Sequence, residues 1–159
     1  MTIQKILIGI DDSKQAEHAA ECGFDIARKF GAAVGLVNIV EPALVTQTGG
    51  SDPMSAMPTP GIGIDDLEIM DIQKTQSEHI VEHTIKKFAG DMPVTHFTDY
   101  GSTADGIIHC AKEFEADLIV IGTHNRHGIG RLLMGSVAEH VVRDSHVPVL
   151  VVPFKSESQ

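Results

Sequence analysis

The chain has 159 residues, 22 acidic against 12 basic, and a net charge of −10 at pH 7. A surface this negative repels phosphate backbones and anionic lipid, which excludes a general nucleic-acid or membrane-surface binder. Apolar residues make up 42% of the chain in distinct runs, which excludes a disordered polymer, and no run approaches the ~20 apolar residues of a membrane span.

Met1-Thr2-Ile3-Gln4 leads directly into the first strand pattern, so no signal peptide is expected. Lys5 to Ile10 is a short, almost continuous apolar run that ends at Asp11-Asp12-Ser13, a trio able to cap a helix. Ala16, Ala19, Ala20, Gly23, Ala27 and Phe30 then recur at helical spacing, and Gly31 is placed to stop that helix. Ala33 to Val40 is a second buried-type run, broken by Glu41-Pro42.

Residues 43–64 fit no element: Gly49-Gly50, Pro53, Pro58 and Pro60 mark a long, flexible loop, read as a surface flap, with a lid or docking loop as the functional alternative. Asp65, Asp66, Glu68 and Asp71 crowd the start of the next helix, where they complement its dipole. Met70, Ser77, Val81, Thr84 and Phe88 form the buried stripe of that helix. His79, Glu82 and His83 match an HxxEH metalloprotease pattern but fall on the opposite face, towards solvent, so no metal site is expected there.

Val94 to Phe97, Asp117 to Ile121 and Val147 to Val152 supply three more buried-type runs, separated by helical patterns around Thr103 to Glu115 and Ser136 to Ser145. Short runs apolar on both faces, alternating with helices, describe an α/β domain with a parallel sheet covered on each side. The expected architecture is a doubly wound, Rossmann-like, five-stranded parallel sheet forming one domain over residues 1–154, with a polar tail over 155–159. Cys22 and Cys110 lie far apart in helical patterns and read as reduced, buried thiols of a cytoplasmic protein.

In such a sheet, ligands bind beyond the carboxyl ends of the strands where the strand order reverses. With the order 3-2-1-4-5, the loops after strands 1 and 4 flank one crevice. The first loop is Gly9 to Ser13, and the second runs from Gly122 through His124, Asn125, Arg126 and His127 to Gly135-Ser136-Val137. Glycines let backbone amides approach an anion, and Gly135-Ser136 opens a helix whose N-terminus favours phosphate. No GxxxxGK[ST] is present, and Gly128-Ile129-Gly130 lacks the third glycine of a GxGxxG. An acidic pair such as Asp11-Asp12 also occurs in phospho-accepting receiver domains, but no lysine precedes Pro153 after the fifth run, and the glycine loop would go unexplained.

Gly122, then Gly135-Ser136 with the intervening Arg131-Leu132-Leu133-Met134, followed by Val137-Ala138-Glu139 and the closing Val147 to Pro153, resembles the universal stress protein family over nearly the whole chain. That family's nucleotide-binding members share Gly, two residues, Gly, nine residues, then Gly and Ser or Thr; the second glycine is Asn125 here. Asn is the best non-glycine substitute in a left-handed conformation, and its amide can donate a hydrogen bond. The resemblance implies a small cytoplasmic regulatory protein that binds ATP, with Mg²⁺ as an optional companion. It implies that Asp11 contacts the adenosine part and that Ile39 lines the adenine pocket with Gly9 and Ile10. It places Gly122 and Asn125 along the ribose and phosphates, and Gly135, Ser136 and Val137 on the phosphates, while Arg126, with His124 and His127, adds local positive charge to the same loop as a further candidate contact. Any hydrolysis is expected to be slow, because no general base or water-positioning residue stands out. A homodimer through the fifth strand is also implied. The alternative is a dimeric interaction protein of the same fold that binds no nucleotide, a reading that Asn125 keeps open.

Overall fold

Ile6, Leu7 and Ile8 are fully buried, alternate between the two faces of the sheet, and place the first strand at its centre. The computed structural model describes residues 2–42, 66–123 and 134–154. In chain order the elements are β1 (Lys5–Gly9), α1 (Lys14–Phe30), β2 (Ala33–Val40), α2 (Asp66–Thr84), β3 (Val94–Tyr100), α3 (Thr103–Phe114), β4 (Leu118–Gly122), α4 (Ser136–Asp144) and β5 (Val149–Val152). All strand pairs are parallel and the order is β3-β2-β1-β4-β5, as expected from the sequence. The segment 43–64, the loop residues 124–133 and the tail 155–159 lie outside the described residues.

Two apolar clusters sandwich the sheet. Ile6, Ile8, Val34 and Leu36 pack under α1 and α2, while Leu7, Val37, Ile119 and Ile121 pack under α3 and α4. The helices therefore change face between the β1–β2 and β4–β5 halves, which sets the reversal point between β1 and β4. Gly31 ends α1 in a left-handed conformation (φ 66°), the conformation that glycine adopts without steric penalty. α3 ends on Glu115, which holds φ 56° without being a glycine, and its side chain pairs with Lys5 at 3.0 Å.

Several sequence expectations change. Phe30 is 59% exposed, and Phe24 is the aromatic that α1 buries. It stacks on Phe88 with ring centroids 6.2 Å apart. Met70 is also exposed, so the buried stripe of α2 begins only at Ser77 and continues through Val81 and Thr84. Beyond Thr84 the chain tightens no further but widens into a π-helical turn, Ile85–Ala89, that brings Phe88 over Phe24. β3 runs on to Tyr100 and is half-covered at most, because it forms one edge of the sheet.

Cys110 is buried in α3, and burial, with Asp99 and Glu113 adding to it, pushes its thiol up to about 11. Cys22 is only partly buried in α1. Among the described residues no helix is long and apolar enough to cross a membrane.

Candidate functional site

The β1–α1 turn is held by a short chain of hydrogen bonds. Ile10 donates its N–H to the Val37 carbonyl at 2.9 Å, and its own carbonyl accepts from Nδ2 of buried Asn38 at 2.9 Å. That double anchorage to β2 delivers Asp11 to the carboxyl end of the sheet. Asp11 Oδ1 accepts from the Ser13 N–H at 2.8 Å, and Ser13 Oγ accepts from the Ala16 N–H at 3.1 Å. Ser13 is thus the N-cap of α1, as the sequence suggests.

The two strand-end glycines are both explained by packing. A Cβ on Gly9 would sit 3.0 Å from Ile121 Cγ2, on the α3 side of the sheet. A Cβ on Gly122 would lie 2.6 Å from the Gln15 carbonyl oxygen and 2.9 Å from its carbon, so the first turn of α1 rests directly on Gly122. Ile39 also lies on the α3 side, where Gly106 leaves room for it: a Cβ on Gly106 would approach Ile39 Cδ1 to 2.5 Å. Ile10 belongs to the cluster on the opposite face. Gly9 and Ile39 therefore share one face and Ile10 the other.

Gly135 precedes α4 with φ −57°, and among the described residues no side chain caps that helix end. The Glu139 backbone N–H donates to the Gly135 carbonyl at 2.9 Å, while Ser136 and Val137 are exposed. The first amides of a helix lack intrahelical acceptors, so this end carries donors that the helix itself does not satisfy and a partial positive charge. Asn125 and Arg126 lie outside the described residues.

A cavity of about 300 Å³ opens beside Asp11, between the β1–α1 turn and the middle of α2. Ile10, Asp11 and Ser13 line one side, and Gln76, His79 and His83 the other. Near it, Glu17 of α1 accepts from Lys87 Nζ at 2.7 Å and lies 3.5 Å from His83 Nε2. The Lys87 hydrogen bond is the main cause holding the Glu17 carboxyl below its usual range; partial burial opposes it and His83 adds to it. Sequence reasoning passed over this cavity. His79 and His83 are both exposed, as the sequence leads one to expect, and both also border this cavity. Among the described residues no group of three His, Cys, Asp or Glu side chains is arranged to hold a metal ion.

A doubly wound parallel sheet with a carboxylate at the end of β1 and a helix start after β4 that no described side chain caps defines an α/β domain of the kind that takes ligands at its reversal point. The chain belongs to the universal stress protein family, whose signature matches residues 2–153. Universal stress protein MJ0531 of Methanocaldococcus jannaschii is 33% identical over 151 residues, spanning 94% of this chain and 81% of that relative. A universal stress protein solved in complex with cAMP shares the fold with a TM-score of 0.66 at 23% identity, covering 96% of this chain and 98% of the other. The universal stress protein from Archaeoglobus fulgidus in complex with dAMP gives a TM-score of 0.62 at 21% identity, covering 95% and 98%.

Proposed function

We propose that this chain is a small cytoplasmic regulatory protein of the stress response that binds ATP, with or without Mg²⁺, in the crevice between the loops after β1 and β4. The observation that carries this reading is the α4 N-terminus: Gly135 leaves it without a side-chain cap, so its amides and the Ser136 hydroxyl suit phosphate oxygens. Asp11, fixed at the end of β1, supplies an acceptor-only carboxylate for the adenosine part. Gly9, Ile10 and Ile39 would border the base, and Gly122, Asn125 and Arg126 the ribose and phosphates, with Val137 beside Ser136 on the phosphates. Family members in complex with cAMP and dAMP support an adenine nucleotide as the ligand class.

Thermal unfolding with ATP, AMP and GTP tests the reading. At about 100 times Kd, a bound nucleotide adds about 2.7 kcal/mol, which raises Tm by about 5–11 °C for a domain of this size. No shift with any nucleotide at millimolar concentration refutes it. Asn125, standing where the family pattern has its second glycine, favours the second reading, a dimeric interaction protein of the same fold that binds no nucleotide. β5 gives either reading a route to a homodimer, since it ends the sheet with Val149, Leu150 and Val151 only half-buried. Sedimentation as a strict monomer refutes that dimer.

A further inference from the structure

We propose that Asp99 closes the β3 edge of the sheet to a second copy of this chain, which leaves β5 as the edge open to self-association.

Five strands in one open sheet leave two edges, β3 and β5. If each edge paired with its own kind in a second copy, every chain would carry two such contacts and assembly would run on without closing. A discrete dimer therefore requires one edge to be shut. β5 has four residues, with Val149, Leu150 and Val151 half-buried. β3 is the longer edge, with seven residues in register with Val34 to Val40 of β2. Val94, Thr95, Phe97, Thr98 and Tyr100 are β-branched or aromatic and suit a strand. The run from Val94 to Tyr100 holds no proline or lysine, the residues that commonly blunt an edge.

The end of β3 fixes which way its backbone donors point. Gly101 donates its N–H to the Val40 carbonyl at 3.1 Å. Donors alternate in direction along a strand, so those of His96, Thr98 and Tyr100 point away from β2 and out of the sheet. The Tyr100 donor is already taken, because Asp99 Oδ1 accepts from it at 2.8 Å. Asp99 also carries the only formal charge in the strand. A second β3 would have to displace this carboxylate from the Tyr100 N–H. The interface would then enclose the carboxylates of both copies with no donor in place of the one lost.

Sedimentation equilibrium of the full chain tests the proposal with Asp99→Ala, Asp99→Asn and the double variant Asp99→Ala/His96→Pro. The unaltered chain is expected to keep one mass as its concentration rises. Asp99→Ala is expected to raise the weight-average mass at least about twofold, because the freed edge adds a contact. Asp99→Asn keeps an acceptor at the same place and is expected to stay at the unaltered mass. His96 is exposed and its N–H points outward, so proline there removes no bond to β2. The double variant is expected to return to the unaltered mass. An Asp99→Ala mass equal to that of the unaltered chain at every concentration overturns the proposal. An excess mass that the added proline fails to lower also overturns it, since association then runs through another surface or through unfolded chain. Equal association of Asp99→Asn and Asp99→Ala overturns the hydrogen-bonded cap. The β5 dimer is judged separately, by the mass of the unaltered chain.

Discussion

Replacing Gly122 with alanine separates two roles for the strand-end glycine. The added methyl would lie 2.6 Å from the Gln15 carbonyl oxygen and 2.9 Å from its carbonyl carbon, with the Ala16 nitrogen at 3.3 Å. These are backbone atoms in the first turn of α1, so no rotamer change relieves the contact and the helix start has to move. Overpacking of this kind costs about 1–3 kcal/mol. Removing a glycine from the unfolded chain returns about 0.4–1 kcal/mol, leaving a net loss of about 1–2 kcal/mol. For a domain of this size that lowers Tm by about 2–8 °C. The assay is thermal unfolding with no nucleotide present. A glycine needed only for phosphate to approach would show no penalty under those conditions, so an unchanged or raised Tm refutes the packing argument.

Asn38→Ala should cost about 1–3 kcal/mol in urea unfolding, because it leaves the Ile10 carbonyl without its buried 2.9 Å donor. A midpoint that does not move would show that water replaces the amide there at no cost. Glu17→Gln tests the α1–α2 tie through pH. The Glu17 pKa is lowered in the fold from 4.5, so its stabilisation is fully present above that value and is lost as pH falls through the lower folded value. Its side chain is 41% exposed and solvent screens the pair, which limits the effect to about 0.2–1 kcal/mol. The Tm gap between the two proteins should therefore exist at pH 6–7 and close in strong acid. A gap of constant size across that range contradicts the assignment.

The central strands were legible because their residues are buried on both faces. β2 occupies Ala33–Val40 as expected, and the β1 run overshoots its strand by only Ile10, which belongs to the turn. At the sheet edges legibility fell. β3 includes Thr98, Asp99 and Tyr100 because they pair with β2, and backbone pairing leaves no apolar mark. Helical spacing fitted both Phe30 and the alanine stripe, but Phe30 sits in the last turn, past the cover of the sheet, and Phe24 took the core position. The π-helical turn after α2 has no local signature; tertiary contact between Phe88 and Phe24 accompanies it. In the site, the Ser13 cap and the Gly135 helix start were readable from residue type and position. The seat of α1 on Gly122 and the pairing of Ile39 with Gly106 were not, since both depend on distances between segments far apart in the chain.

The contrast between the two cysteines gives this protein a built-in handle. With its thiol pushed up to about 11, Cys110 is a thiolate in only about one molecule in 10⁴ at neutral pH, and the α3 packing shields it as well. Maleimide reagents consume thiolate, so brief labelling of the folded protein should stop at Cys22 on α1. A fluorophore attached there reports on the helix whose first turn rests on Gly122 and borders the cavity beside Asp11, with no cysteine added or removed.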